Sequence, residues 1–367
     1  MVNINSKYSS EFPPPYYTHS GSYRDNSLNR DKTLIHFLLM MLVVFSMLPQ
    51  QLYAANLAAT PPLSGHAINQ ESITPADTLS RINLAAQHLE QIRVKLNLPL
   101  ANKLNINISE AQPREVYFQA LAFYQRVNRL TFERLRVFHE SPSATFANGK
   151  QLKPYHVWQI SDRASQQLAS LRQDLALDEP LVEQASDPAT TPSDVFIALL
   201  TINRQLDVML EQPYTPNDVY QQVTLGVHYM AKLLASQAVI DRIPEAPVFI
   251  ANKQPADVWL LLADCFELLR EIAQRHGVNM LNITADSDIS AAIRPGDVYQ
   301  YAALLVSELA HLHSVMANVD DAVRTVAVSQ MLSADVFQRV GLLHKQLAHF
   351  NALSAQQKTH GDSIDAK

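Results

Sequence analysis

A five-residue pattern that recurs eight times constrains the fold of this chain more than any other feature. Each copy reads proline, any residue, an acidic residue, valine and an aromatic residue. The fourth residue is Val in seven copies, and the fifth is aromatic in seven. The copies begin at Pro75, Pro113, Pro154, Pro192, Pro216, Pro255, Pro295 and Ser333.

Each copy has the composition of a helix start. Proline at the first helical position gives up an N–H group that would have no partner there. The acidic residue accepts hydrogen bonds from free N–H groups and faces the positive end of the helix dipole. Thr74, Thr191 and Thr215 precede three copies and supply an N-cap hydroxyl. We therefore interpret the acidic residues as helix caps rather than as a series of ligand sites. His156 replaces the acid in the third copy, which a metal-binding array would tolerate poorly.

Apolar or small residues follow each start at spacings that alternate between four and three. This is the pattern of a heptad seam, and it predicts helices that pack at shallow angles. The side chains at positions 14 and 17 after each start are Leu, Ile, Val, Met or Phe in every copy, whereas exceptions such as Ser161 lie mid-helix. Each helix should run about 20 residues, or roughly 30 Å. With only 8 glycines in 367 residues, the chain is predicted to be all-α.

The distances between starts suggest an internal duplication. Successive starts lie 38, 41, 38, 24, 39, 40 and 38 positions apart, so the short interval separates two sets of four. A shift of 141 or 142 positions superimposes the first set on the second. We predict two duplicated four-helix units, residues 73–211 and 212–354. The alternative is one continuous α-solenoid, because the period also suits stacked helical repeats.

The connections between these helices are longer than antiparallel neighbours need. A stretch of roughly 15 to 18 residues can return the chain along a helix of roughly 30 Å, since an extended residue spans about 3.3 Å. Such connections allow parallel neighbours. A short return helix inside a connection is the alternative, and residues 320–328 are the best candidate.

The sequence of the N-terminal region indicates that the protein is exported. Residues 34–48 form an apolar run that Arg30 and Lys32 precede, which is typical of a secretory signal. We assign 33–54 to a signal peptide or signal anchor, with cleavage near Ala54–Ala55 favoured because a spanning helix needs about 20 apolar residues. Without cleavage, residues 34–48 would anchor the chain in the inner membrane. The remaining assignments are a disordered leader (1–32), a linker (55–72) and a disordered tail (355–367).

Few residues suggest chemistry. Glu308 and His311 share a helical face as in di-iron bundles, but that chemistry needs a second such pair. The duplicated positions are Gln167 and Ser170, so no metal is expected. Cys265 is the single cysteine, and its apolar helical position indicates a small core residue.

Other polar residues also have structural explanations. His313 points to a different face from His311. His344 is interpreted as a hydrogen-bonded core histidine beside the seam, and Asp264 as a solvated residue. The repeated aromatic residues should pack between helices rather than form a binding surface. They are Tyr117, Trp158, Phe196, Tyr220, Trp259, Tyr299 and Phe337.

These observations favour a non-catalytic function. The net charge of −6 disfavours nucleic-acid binding, and no catalytic, phosphate-binding or dinucleotide motif is present. We expect no catalytic residues, cofactor or metal. The leading hypothesis is an exported binding or scaffold protein with an envelope protein partner, in the periplasm and possibly anchored in the inner membrane. The alternatives are a periplasmic small-molecule sensor or carrier with a pocket in each bundle, and a metal or haem bundle.

Overall fold

Every copy of the five-residue pattern begins a helix in the computed structural model of the protein. The structure describes residues 72–140, 152–182, 187–237, 239–285, 293–317 and 328–364. Within these ranges the chain forms eight helices and two four-residue strands, which confirms the all-α class. The helices are α1 (Pro75–Lys95), α2 (Pro113–Leu135), α3 (Pro154–Asp174), α4 (Pro192–Met209), α5 (Pro216–Ser236), α6 (Pro255–Arg275), α7 (Pro295–Ala317) and α8 (Ser333–Ile364). The strands are β1 (Ile106–Ser109) and β2 (Asn282–Ala285).

The same type of N-terminal cap begins all eight helices. In each copy, the backbone N–H of the residue before the pattern donates to the side chain three residues later, over 2.6 to 3.0 Å. The acceptor is a carboxylate in seven copies. In the third copy Nδ1 of His156 accepts from the Lys153 N–H at 3.0 Å, so an imidazole nitrogen can replace the carboxylate. The prediction that the pattern caps helices is confirmed.

The predicted seam is the core of the protein. All sixteen residues at positions 14 and 17 after the starts are at most 1% exposed. Burial of one such side chain contributes roughly 1.5 to 3 kcal/mol. The sixteen are Leu89, Ile92, Val127, Leu130, Leu168, Leu171, Leu206, Met209, Met230, Leu233, Leu269, Ile272, Leu309, Leu312, Leu347 and Phe350.

The two sets of four helices pack in the same order. In the first unit, α1 and α2 each lie against α3 and α4. In the second unit, α5 and α6 each lie against α7 and α8. Each unit is thus a four-helix bundle. Its first helix lies diagonally opposite its second, and its third lies diagonally opposite its fourth. The shared order is what a duplication predicts, and the duplication itself remains a hypothesis.

Helices within a unit run parallel. Pro75, Pro113, Pro154 and Pro192 line one apolar cavity, so the four helices of the first unit begin at the same end. In the second unit Cys265, midway along α6, lies 3.9 Å from the Val340 carbonyl oxygen on α8. Arg275 at the end of α6 contacts Asn351, which lies eleven positions further along α8. These two contacts require the same direction for α6 and α8.

Extended connections return the chain along a neighbouring helix. Gln338, Lys345 and Gln346 of α8 donate to the carbonyl oxygens of Pro247, Glu245 and Arg242 at 2.7, 3.0 and 2.7 Å. The residue numbers rise along α8 and fall along the α5–α6 connection, so the connection runs antiparallel to α8. The alternative return helix at 320–328 lies almost wholly outside the described residues.

The first unit holds its α1–α2 connection in the same way. Arg204 and Gln205 of α4 donate to the carbonyl oxygens of Asn102 and Pro99 at 2.7 and 3.1 Å. Arg204 and Gln205 lie 141 positions before Lys345 and Gln346. The corresponding helix therefore clamps the corresponding connection in each unit.

Two further sequence predictions can be compared with the structure. Helix α8 continues to Ile364, so the structure assigns residues 355–364, which were predicted to be part of a disordered tail, to this helix. The run 355–360 contains no proline or glycine, and its Ala, Gln and Lys residues favour helix. The leader, the apolar segment 34–48 and most of the linker lie outside the described residues. In the part of the chain that the structure describes, no helix is long and apolar enough to span a bilayer.

A small sheet joins the two units. Strand β1 lies in the α1–α2 connection and β2 in the α6–α7 connection, and they pair antiparallel with Ile106 opposite Ala285 and Ser109 opposite Asn282. The described residues all belong to one compact unit, in accord with this pairing. The sheet lies beside the helices through which the units meet.

Candidate functional site

The two units meet through α2 and α4 of the first and α7 of the second, a region we call the junction. Every buried Asp, Glu or Arg of the described residues lies on one of these three helices: Glu115, Arg126, Arg204, Asp297 and Glu308. Ionised groups are strongly disfavoured in an apolar interior unless they are paired and hydrogen-bonded. The pairing of these groups therefore shows what the junction can do.

One end of the junction holds two carboxyl groups around one guanidinium. Arg114 at the start of α2 donates to Glu308 of α7 at 2.8 and 3.1 Å, and to Glu115 at 3.3 Å. Glu115 also accepts from the backbone N–H groups of Gln112 at 2.6 Å and Leu281 at 2.8 Å. Glu115 thus caps α2 and at the same time fixes the connection that carries β2. We call Arg114, Glu115 and Glu308 the acid triad.

The acid triad has one positive group for two acids. Burial, together with the nearby charge of Glu308, raises the pKa of Glu115 to about 8. Burial also raises the pKa of Glu308, although Arg114 opposes this rise. One guanidinium cannot balance two buried carboxylates, which favours protonation of one of the two acids at neutral pH.

Three amide side chains form the centre of the junction. Gln119 Oε1 accepts from Gln300 across the units at 2.6 Å and from Asn203 at 3.2 Å. Within the described residues, Gln300 Oε1 and Asn203 Oδ1 have no hydrogen-bond partner. Gln119 and Gln300 line a narrow pocket beside Trp259 and the two strands.

Two ion pairs form the other end of the junction. Arg204 of α4 binds Asp297 of α7 at 2.6 and 3.2 Å. Arg126 of α2 binds Asp207 of α4 at 2.7 and 3.3 Å. Burial raises the pKa of Asp207, and Arg126 opposes this effect. Arg–carboxylate pairs that share two hydrogen bonds are among the stronger polar interactions in proteins.

The contacts across the junction set the direction of the two units. Arg114 at the start of α2 meets Glu308 well along α7, whereas Arg204 near the end of α4 meets Asp297 at the start of α7. Helices α2 and α4 therefore run antiparallel to α7. The chain passes from one unit to the other beside Tyr214, whose ring stacks on Tyr299 with centroids 4.0 Å apart and has Arg126 over it at 5.1 Å.

A cavity of about 360 Å³ lies between the two ion pairs and this crossing, and we call it the junction cavity. Arg204, Asp207, Arg294 and Asp297 supply its charged groups. The rest of its lining is mainly apolar and includes Val208, Leu210, Tyr214 and three prolines. Its volume is in the range of roughly 300 to 1,000 Å³ that small-molecule sites occupy.

The Glu308–His311 pair lies at the junction. Glu308 binds Arg114, and His311 is half-buried with its pKa lowered to about 4 by burial and by the charge of Arg114. No cluster of three or more His, Cys, Asp or Glu residues suited to a metal ion occurs among the described residues.

The other single candidates lie in ordinary structural positions. Cys265 is fully buried and burial raises the pKa of its thiol, so its prediction as a core residue is confirmed. Asp264 is exposed, as predicted. His313 is buried against the ring of Tyr229, with centroids 5.8 Å apart, whereas His344 is only half-buried.

The repeated aromatic residues pack as predicted. Phe196 and Trp259 lie in the core, and none of the seven is exposed. Several also carry a cation over the ring, such as Lys253 over Phe337 at 4.3 Å and Arg81 over Trp158 at 5.4 Å.

Sequence reasoning did not find the junction, although a comparison of the two halves holds a signal for it. The residues 141 or 142 positions from the charged groups of the junction are mostly uncharged. Arg126 corresponds to Leu268, Asp207 to Ala348 and Glu308 to Gln167. Some core-facing positions carry a charged residue in one half and an uncharged residue at the corresponding position of the other half. Such a difference indicates a contact that only the half with the charge makes.

Comparison of the chain with models of protein families finds no match, and neither do comparisons with curated proteins and with solved structures.

Proposed function

We propose that this chain is an exported, non-catalytic binding or scaffold protein whose partner is another protein of the cell envelope. The observation that carries the proposal is the mutual engagement of the buried charges at the junction. A general acid or base must reach its substrate, whereas Glu308 and Asp297 are buried and bound by Arg114 and Arg204. These charges serve to fix the two units against each other.

The other polar repeats are also used within the fold. The eight capping side chains accept backbone hydrogen bonds, and the seven aromatic residues pack against neighbouring helices. A regular array with its reactive side chains engaged in this way suits a rigid support for a partner. The signal-like segment at 34–48 and the basic residues before it support a location in the periplasm or at the inner membrane.

The α5–α6 connection offers a surface for the partner. Ile240 and Val248 are 96% and 86% exposed, and Ile243, Phe249 and Ile250 are also exposed. Clustered exposed apolar side chains of this kind are typical of protein interaction sites. Hydrogen bonds from α8 hold the backbone of this connection in place, so the surface is formed before a partner binds.

Crosslinking and affinity purification from the native envelope test the proposal. We expect the protein to capture one envelope protein reproducibly, and the double variant Val248→Ser, Phe249→Ser to lose it. Val94→Ser, which replaces an exposed valine of α1 (61% exposed), is the control and should retain the partner. Equal capture by all three proteins, or no specific capture, would contradict the proposal.

The metal or haem hypothesis is the second alternative, and no described side-chain cluster favours it. Elemental analysis and a visible spectrum of the protein purified from its native envelope test it. The small-molecule hypothesis placed a pocket inside each bundle, but the ligand-sized junction cavity lies between the bundles. This observation favours ligand binding at a different place from the one expected.

A further inference from the structure

We infer that the junction cavity binds a small organic monoanion, a carboxylate attached to a compact apolar body. The inference is independent of the protein partner proposed above. It depends on the size of the cavity, on its apolar lining and on one arginine whose charge is not balanced within the described residues.

The first step concerns the apolar part of the ligand. Pro99 and Ala101 from the α1–α2 connection line the cavity together with Val208 of α4. Leu210, which follows α4, and Pro213, from the crossing between the units, complete this apolar lining. Small-molecule sites are mostly apolar with a few placed polar groups that set orientation. This lining suits an aliphatic or aromatic body and gives little to a sugar or a nucleotide.

The second step concerns charge. Asp297 is paired with Arg204 and Asp207 with Arg126, so both acids have a cation of their own. Arg294 also lines the cavity, its side chain is exposed, and it has no acidic partner among the described residues. Among the described groups around the cavity, one positive charge is therefore left without an acidic partner, which favours one negative charge on a ligand.

The third step distinguishes a carboxylate from a phosphate. A guanidinium binds a carboxylate through two parallel hydrogen bonds, which matches the single uncompensated arginine. A phosphate monoester carries close to two negative charges at neutral pH. Asp297 belongs to the first turn of α7, and Asp207 of α4 lies against the same turn, since a Cβ atom on Gly296 would lie 2.9 Å from Asp207 Oδ2. The second charge of a phosphate would be repelled there.

Arg294 can be changed without loss of the helix cap. Its backbone N–H donates to Asp297 at 2.9 Å, and this bond remains when the side chain is replaced. Arg294→Gln therefore removes the charge and keeps the fold. Ala101→Phe fills the cavity and leaves all its charges, while Arg163→Gln removes an exposed arginine of α3 far from the junction.

In the experiment, the full chain is titrated with benzoate at constant ionic strength, and binding is measured by calorimetry or ligand-observed NMR. Benzamide is the uncharged control with the same ring, and inorganic phosphate tests the other anion class. We expect saturable binding of benzoate, weakened roughly 10- to 100-fold by Arg294→Gln, the effect of losing charge-assisted hydrogen bonds. Ala101→Phe should weaken binding similarly, and Arg163→Gln should leave it unchanged.

Several results would overturn the inference. These are an absence of saturable benzoate binding, equal affinity for benzamide, tighter binding of phosphate, or equal benzoate affinity in Arg294→Gln and the unmodified protein. Each of them concerns the cavity alone, so partner capture in the native envelope remains a separate observation.

Discussion

The acid triad should make the protein less stable as the pH rises through neutrality. The folded state holds an extra proton because burial and Glu308 raise the pKa of Glu115 to about 8. In the unfolded chain a glutamate titrates near 4.3. At Glu115 the folded state therefore binds more protons than the unfolded state between these values, and the contribution of the triad to the free energy of unfolding falls as pH increases.

The magnitude follows from the linkage relation. One pKa unit corresponds to about 1.36 kcal/mol, and a group half titrated at pH 8 gives a loss of roughly 1 to 2 kcal/mol between pH 6.5 and 8. The histidines with lowered pKa values act in the opposite direction within this window. An unfolded histidine is half protonated at about pH 6.5, so each of His88 and His311, which stay neutral in the fold, adds about 0.4 kcal/mol of stability between pH 6.5 and 8. The effect of the triad is therefore the difference between the unmodified protein and a variant that keeps the same histidines.

Urea denaturation at pH 6.5, 7.25 and 8 measures this slope, and Glu308→Gln identifies its source. With one acid left for Arg114, Glu115 stays ionised, and the free energy of unfolding of this variant should rise by about 1 to 2 kcal/mol between pH 6.5 and 8 relative to the unmodified protein. Glu271→Gln changes an acid of α6 that is 55% exposed, and this control should retain the slope. An equal change in the free energy of unfolding between pH 6.5 and 8 in Glu308→Gln and in the unmodified protein would refute the reasoning.

Three further predictions concern the caps and the N terminus. Asp257→Ala should destabilise the protein by about 0.5–2 kcal/mol in thermal or urea unfolding, with Asn retaining much of the cap and Asp264→Ala, at an exposed position, showing little change. His156→Asp should stabilise the protein by about 0.3–1 kcal/mol, because a carboxylate at this position also faces the helix dipole; lower stability at pH 7 would contradict this. N-terminal sequencing of protein from the envelope fraction should find processing near Ala54–Ala55, and an intact N terminus in the soluble cytoplasm would exclude export.

The helices could be predicted because their signals are local. Proline and the acidic residue act on backbone groups within four positions, so the starts from Pro75 to Ser333 can be recognised in the sequence without knowledge of the tertiary structure. The seam residues are periodic for the same reason. The sequence leaves parallel packing open, because connections as long as these permit either direction. The clamp of Gln346 on the Arg242 carbonyl oxygen, 104 positions apart in sequence, decides it.

The junction could not be predicted because its contacts join distant residues. Arg114 and Glu308 are 194 positions apart, and Arg204 and Asp297 are 93 apart. In the sequence alone, each of these arginines resembles an ordinary residue on the solvent-exposed face of a helix. Only the folded arrangement shows that α2 and α4 present these side chains to α7. The same reason explains why the junction cavity was not expected, since it exists only between the two units.

The most direct test of the account is a double-mutant cycle across the junction. Arg204→Gln and Asp297→Asn are made singly and together, because Asn at position 297 retains much of the cap of α7. If the buried pair fixes the two units, each single change should leave an unpaired charge and cost about 3–5 kcal/mol. The double variant should then cost clearly less than the sum, with a coupling of at least about 1 kcal/mol. Additive effects would contradict the claim that the charges of the junction serve to hold the two units together.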